Sequence, residues 1–165
     1  ERLNGDHSVL AEEPVHLGEF VTVVTEPFME YPGGLNLVLP EEDHEFQIDK
    51  LRIRLLITNL INNSLRHGEG NPIEVRVSFK EEGAVLEVID QGEGISEEHL
   101  SQISEPFYRP DRSRQRNTGG FGLGLYLCRL IAEAHGGSIQ ILSKVGEGTH
   151  IIVQIPHRTP EPPVE

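Results

Sequence analysis

At 165 residues with a net charge of −13, the chain has the length of one domain and a charge balance that excludes a general nucleic-acid binder. A chain of this size buries roughly 70% of its unfolded surface and needs no staples. Its one cysteine, Cys128, excludes an intramolecular disulfide and suits a reducing, cytoplasmic compartment. No run of about 18 apolar residues offers a membrane-spanning helix, so no membrane contact is expected. No signal peptide is visible, and the opening on Glu1 without methionine reads as a piece of something longer.

The elements alternate between helix and strand. Residues 1–14 are polar and acidic, which suggests the end of a preceding element or a linker. Leu17, Phe20, Val21, Val24 and Phe28 recur at helical spacing, and Pro32-Gly33-Gly34 ends that helix. Leu35 to Leu39 and Glu45 to Ile48 read as short strands. Asp49 to His67 is a second helix, stopped near Gly68-Glu69-Gly70. Ile73 to Lys80 and Ala84 to Ile89 alternate as a hairpin around Glu82-Gly83. Residues 96–118 are polar with little periodicity. Leu123, Leu127, Leu130, Ile131 and Ala134 mark a third helix, closed by Gly136-Gly137. Ser138 to Leu142 and Thr149 to Ile155 form a last strand pair. Residues 157–165 are a Pro/Glu tail expected to be disordered. This pattern predicts an α+β, two-layer sandwich: three helices on a mixed sheet of about five to six strands.

Chemistry concentrates in four places. On the second helix, Asn59, Asn63 and Arg66 share one face, with His67 beside them. Such polar stripes commonly just face water. Asparagine, however, is a poorer helix former than glutamate or lysine, and its uncharged oxygen suits a cation that also binds phosphates, as magnesium does. Asp90 follows an apolar strand and precedes Gly92 and Gly94, which permit a sharp turn and close approach to a flat ligand. A carboxylate there is a turn residue or an acceptor for an exocyclic amine such as that of adenine. Gly119 to Gly124 leads into the third helix, where free N–H groups and the helix dipole favour phosphate. Arg109, Arg112, Arg114 and Arg116 form a local cationic patch fit for a triphosphate or an acidic partner. No G-x-x-x-x-G-K-[ST] string occurs, so a P-loop is excluded.

Together these segments resemble the catalytic ATP-binding domain of a sensor histidine kinase, in the superfamily shared with DNA gyrase B subunits and heat-shock chaperone ATPases. The resemblance covers residues 14–156. The N box corresponds to Asn59–His67, the G1 box to Asp90–Ile95, the F box to Glu105–Arg109 and the G2 box to Gly119–Leu125, with a last glycine motif at Gly146–Thr149. It implies the two-layer Bergerat fold, with ATP and Mg2+ as ligands. Asn63 corresponds to the magnesium-binding asparagine, and Arg66 and His67 to positions near phosphates and the adenosine. Asp90 corresponds to the adenine-specifying aspartate, with Gly92, Gly94 and Ile95 beside the base. Phe107 and Arg109 head an ATP lid expected to be poorly ordered without nucleotide. Gly120, Gly122, Leu123 and Gly124 close that lid on the phosphates, and Thr149 supports the aspartate or its water. Ser64 and His67 stand where the family more often has alanine and tyrosine.

Hydrolysing relatives carry a glutamate where this chain has Asn59, and an amide is no general base at neutral pH. The resemblance therefore implies phosphotransfer to a histidine rather than efficient hydrolysis, with Asn59, Asn63 and Arg66 as the catalytic set. None of the eight histidines sits in the family's phosphoacceptor pattern. The implied partners are a separate dimerisation domain bearing that histidine and a downstream response regulator. The isolated domain is expected to be monomeric, and the full-length kinase to be open to anchoring in a bacterial inner membrane. Two alternatives share the fold: a serine kinase that silences a sigma factor, against which Asn59 counts, and a non-catalytic nucleotide-sensing module.

Overall fold

The computed structural model describes residues 9–100 and 121–157. Strict alternation builds the centre of the sheet. Ile73, Val75 and Val77 of β4 (Ile73–Phe79) and Ala84, Leu86 and Val88 of β5 (Gly83–Asp90) all point inwards and are buried. The two strands pair antiparallel, with Val77 opposite Leu86. β7 (Gly148–Pro156) pairs with β5, and β6 (Ser138–Lys144) pairs with β7. β2 (Leu35–Val38) runs parallel to β4 at the other edge, giving the order β2-β4-β5-β7-β6. A parallel pair needs a crossover, which the chain between β2 and β4 provides.

That crossover contains α2 (Lys50–His67), which docks through Ile53, Leu56, Ile57, Leu60 and Ile61, each at most 2% exposed. α1 (Leu17–Thr25) lies N-terminal to it, and a 3-10 turn at Glu26–Phe28 carries Phe28 into the core. α3 (Glu97–Leu100) is one turn long, and α4 (Phe121–Ala134) packs beside α2. The expected α+β architecture, three principal helices on a five-stranded mixed sheet, is the one observed.

Three details differ from the sequence reading. The sheet has five strands because β3 (Glu45–Asp49) leaves it to pair with β1 (Glu12–His16) in a separate ribbon. β1 was invisible in the sequence: Glu-Glu-Pro-Val-His has no apolar alternation, and backbone pairing forms it. On α4 the inward stripe is Leu125, Cys128, Ile131 and Ala132, followed just past the helix by His135, while Leu130 is 43% exposed. Of the expected stripe, Ile131 is buried and Leu127 packs on the core, but Leu130 faces out, because the fully buried Cys128 and His135 complete the inward face. Finally, α4 begins at Phe121, two residues before Leu123.

Helix N-termini are held by carboxylates. Asp49 caps α2: its Oδ1 accepts from Arg52 N–H at 3.1 Å, and its Oδ2 accepts from Ala11 N–H at 3.0 Å and the Arg52 guanidinium at 2.6 Å. Its own N–H donates to His135 Nε2 at 3.1 Å, tying α2 to the end of α4. Asp43 reaches from the β2–β3 connection to accept from Gly18 N–H at 2.7 Å and Glu19 N–H at 3.0 Å, at the start of α1. Burial pushes both carboxyls up, but these donors outweigh it and hold both below the ordinary value of 3.8.

Candidate functional site

The C-terminal half of α2 turns its polar stripe away from the buried Leu56, Ile57, Leu60 and Ile61. Asn63 is buried nonetheless, at 7% exposure, and its Nδ2 has no hydrogen-bond partner among the described residues. Leaving such a group unsatisfied costs about 1–3 kcal/mol, so the position calls for a partner that the described protein does not provide. Asn59 folds back on its own helix, donating from Nδ2 to Leu55 O at 3.0 Å. Arg66 is exposed at the helix end. The His67 ring is nearly buried, with Nδ1 2.8 Å from Glu93 Oε2.

The loop after β5 binds this helix end to the rest of the site. Asp90, 5% exposed at the strand terminus, accepts Gly92 N–H on Oδ1 at 2.9 Å, which leaves Oδ2 for a ligand. Glu93 N–H donates to His67 O at 3.1 Å, and Glu93 O accepts from Gly146 N–H at 2.8 Å. Both glycines are steric necessities. A Cβ on Gly92 would stand 1.9 Å from His67 O, and one on Gly94 2.0 Å from Lys144 O, at a φ of +78°. The close approach read from the sequence is made to the protein's own backbone.

Asp90 lies opposite Thr149 in the β5–β7 ladder. Together with Ile95 they line an open cavity of about 650 Å3 at this end of the sheet. Within the site, Ser143 Oγ receives Ile95 N–H at 2.8 Å, donates to Gly148 O at 2.8 Å and contacts Thr149 Oγ1 at 2.8 Å. Ser143 and Glu93 are the residues that the sequence reading missed. The expected strand stopped at Leu142, one residue short of the position facing Thr149.

The described predicted residues thus fall into three groups, two of them joined by the loop after β5. Asp90, Ile95 and Thr149 face the cavity, with Gly92 and Gly94 shaping its rim. Asn63, Arg66 and His67 lie along α2 and do not line that cavity. Gly122, Leu123 and Gly124 fall in the first turn of α4, where backbone N–H groups lack intrahelical partners. A Cβ on Gly124 would be 4.0 Å from Asn59 Oδ1, so the start of α4 meets the polar stripe of α2. Phe107, Arg109, Gly120 and the arginine cluster lie outside the described residues. No group of three His, Cys, Asp or Glu side chains among the described residues could hold a metal.

Residues 48–159 match the family model of histidine kinase-, DNA gyrase B- and HSP90-like ATPases. This chain belongs to that family. Within it, the similarity is to sensor histidine kinases. Sensor protein SrrB of Staphylococcus aureus is 40% identical over 125 residues, 74% of this chain and 21% of that protein. The chain therefore spans about a fifth of the length of the curated relatives it matches. The catalytic domain of histidine kinase ThkA, in a nucleotide-free form, superposes with a TM-score of 0.72 at 26% identity, covering 89% of this chain and 98% of that one. Full-length ShkA in complex with AMPPNP shares the fold, with a TM-score of 0.74 at 22% identity, covering 94% of this chain and 33% of that one. The chain is a histidine kinase catalytic domain, and no helix among its described residues is long and apolar enough to cross a membrane.

Proposed function

We propose that this catalytic domain binds ATP with Mg2+ and delivers the γ-phosphoryl group to a histidine on a separate dimerisation domain, upstream of a response regulator. The observation that carries the reading is Asp90, a buried carboxylate with one oxygen committed to Gly92 N–H, lining a cavity beside Thr149. Its remaining oxygen suits the exocyclic amine of adenine. Guanine would present a carbonyl there, setting two acceptors against each other.

The buried amide of Asn63 fits the metal position once flipped: the atom without a partner is Nδ2, a donor that a cation repels, and the flip puts the amide oxygen in its place. Which amide atom is oxygen is an assignment, so either orientation leaves one polar atom for a ligand. Magnesium, when bound, neutralises phosphate charge and orients the γ-phosphoryl group. Arg66 and the first-turn N–H groups of α4 add positive potential for the phosphates. Asn59 provides no base for water, which favours transfer over hydrolysis. The acceptor histidine comes from outside this chain, as does the response regulator. We place the domain in the cytoplasm and read it as monomeric.

The direct test is calorimetry. MgATP should bind, MgGTP should bind far more weakly, and chelating the metal should weaken ATP binding. Asp90→Asn should cost about 1.5–3 kcal/mol of ATP affinity, the usual worth of a hydrogen bond to a charged group. Equal affinity for ATP and GTP would refute the adenine assignment.

A further inference from the structure

We propose that Ser143 is a positioning residue for base recognition, whose hydroxyl fixes Thr149 Oγ1 as a pure acceptor toward the cavity that Asp90 lines. The proposal rests on reading that cavity as the adenine pocket.

A serine hydroxyl has one proton to give and two lone pairs to fill. Three groups lie 2.8 Å from Ser143 Oγ: Gly148 O, Ile95 N and Thr149 Oγ1. The Gly148 carbonyl can only accept, so it takes the Ser143 proton. The Ile95 amide can only donate, so it fills one lone pair. The contact with Thr149 is then a hydrogen bond only if threonine donates into the second lone pair. Thr149 has one proton, and it is used inside the protein. What its Oγ1 offers a ligand is lone pairs alone.

Asp90 offers the same. It stands directly across from Thr149 in the ladder, both side chains line the cavity, and they are 5% and 8% exposed. Two adjacent acceptors match a group with two protons, such as an exocyclic amine, directly or through a water. They disfavour a carbonyl at the same point. Ser143 can enforce this because its own place is fixed three times over. The β6–β7 register sets it opposite Thr149, the Gly148 carbonyl holds its proton, and the loop after β5 reaches it through Ile95. Without the serine, the threonine proton is free to rotate toward the ligand and present a donor where the amine also donates.

The test compares MgATP with the magnesium complex of purine riboside triphosphate, which lacks the exocyclic amine, by calorimetry on the whole chain. Wild type should prefer ATP. Ser143→Ala should shrink that preference by about 5-fold, the equivalent of one neutral hydrogen bond, while the amine-free ligand binds as before. Ser143→Thr keeps the hydroxyl and should keep the preference. Ser143→Cys, a weaker partner of similar size, should lose part of it and covers the case in which the alanine variant does not fold. In a Thr149→Val background, Ser143→Ala should leave the preference untouched. Equal losses for both ligands would mean that Ser143 merely stiffens the hairpin and would overturn the proposal, as would an unchanged preference in Ser143→Ala. A wild-type protein indifferent to the amine would instead overturn the adenine reading beneath it.

Discussion

At the scale of single residues, the site depends on backbone approaches that only glycine permits. Gly94 and Gly146 make a controlled pair. Both have positive φ, +78° and +85°, but a Cβ at Gly94 collides with Lys144 O while one at Gly146 meets nothing within 4 Å. Alanine at Gly146 should cost about 1 kcal/mol, the lower end for an unfavourable backbone conformation, and alanine at Gly94 distinctly more, about 3 kcal/mol. Urea midpoints of the two variants measure the difference. Equal shifts would show that the loop relaxes away from the β6–β7 turn. Asp90, Asn63 and the glycines were legible as a motif because their order is unusual. Ser143 and Glu93 were not: a serine near a strand end and a glutamate between glycines look ordinary until the register and the loop path bring them to Thr149 and His67.

At the scale of elements, α2 carries Asn63 at one end and Asp49 at the other, so its cap supports the site from a distance. Asp43 and Asp49 both titrate below 3.8 when folded, despite burial, because N–H donors and Arg52 hold the charge. A depressed carboxyl contributes stability that is present above its unfolded value and is lost as pH falls through its folded value. Stability should therefore decline on acidification below about pH 4. Asp49→Ala should lower stability at pH 7 by about 1 kcal/mol, the typical worth of an N-cap. That deficit should narrow as the pH falls from 3.8 through the lower folded value, where the wild-type cap becomes protonated too. Urea titrations of both proteins at several pH values would show it, and a deficit constant down to pH 2 would contradict the assignment. The helices and the central hairpin were legible because their periods of 3.6 and 2 are clean. The face of α4 was legible only in part: Leu127 and Ile131 face the core as expected, but a cysteine and a histidine complete the buried stripe in place of Leu130. Cys128 is a core group there, its thiol pushed up to about 12 by burial.

At the scale of the whole molecule, the fold brings separate parts of the chain to one end of the sheet: the end of β5, the β6–β7 turn and the end of α2. The start of α4 meets α2 at Asn59, one helical turn before Asn63. The two-layer arrangement could be read from the sequence, because alternating strands and amphipathic helices have few ways to cover one another. The β1–β3 ribbon could not. Its attachment is tertiary, through Phe46 stacked on Phe79 at 5.7 Å and on His157 at 4.7 Å, contacts between distant residues with no local signal. We propose that this assembled end handles ATP and that the acceptor histidine is supplied by another domain. The most direct measurement incubates the chain with γ-labelled ATP and Mg2+, alone and with a separate dimeric helical domain bearing the matching acceptor histidine. The account predicts little self-labelling and slow hydrolysis alone, acid-labile label on the added domain, and loss of that transfer in Asn63→Ala. Strong acid-labile labelling of the isolated chain would contradict it, because one of its own eight histidines would then be the acceptor.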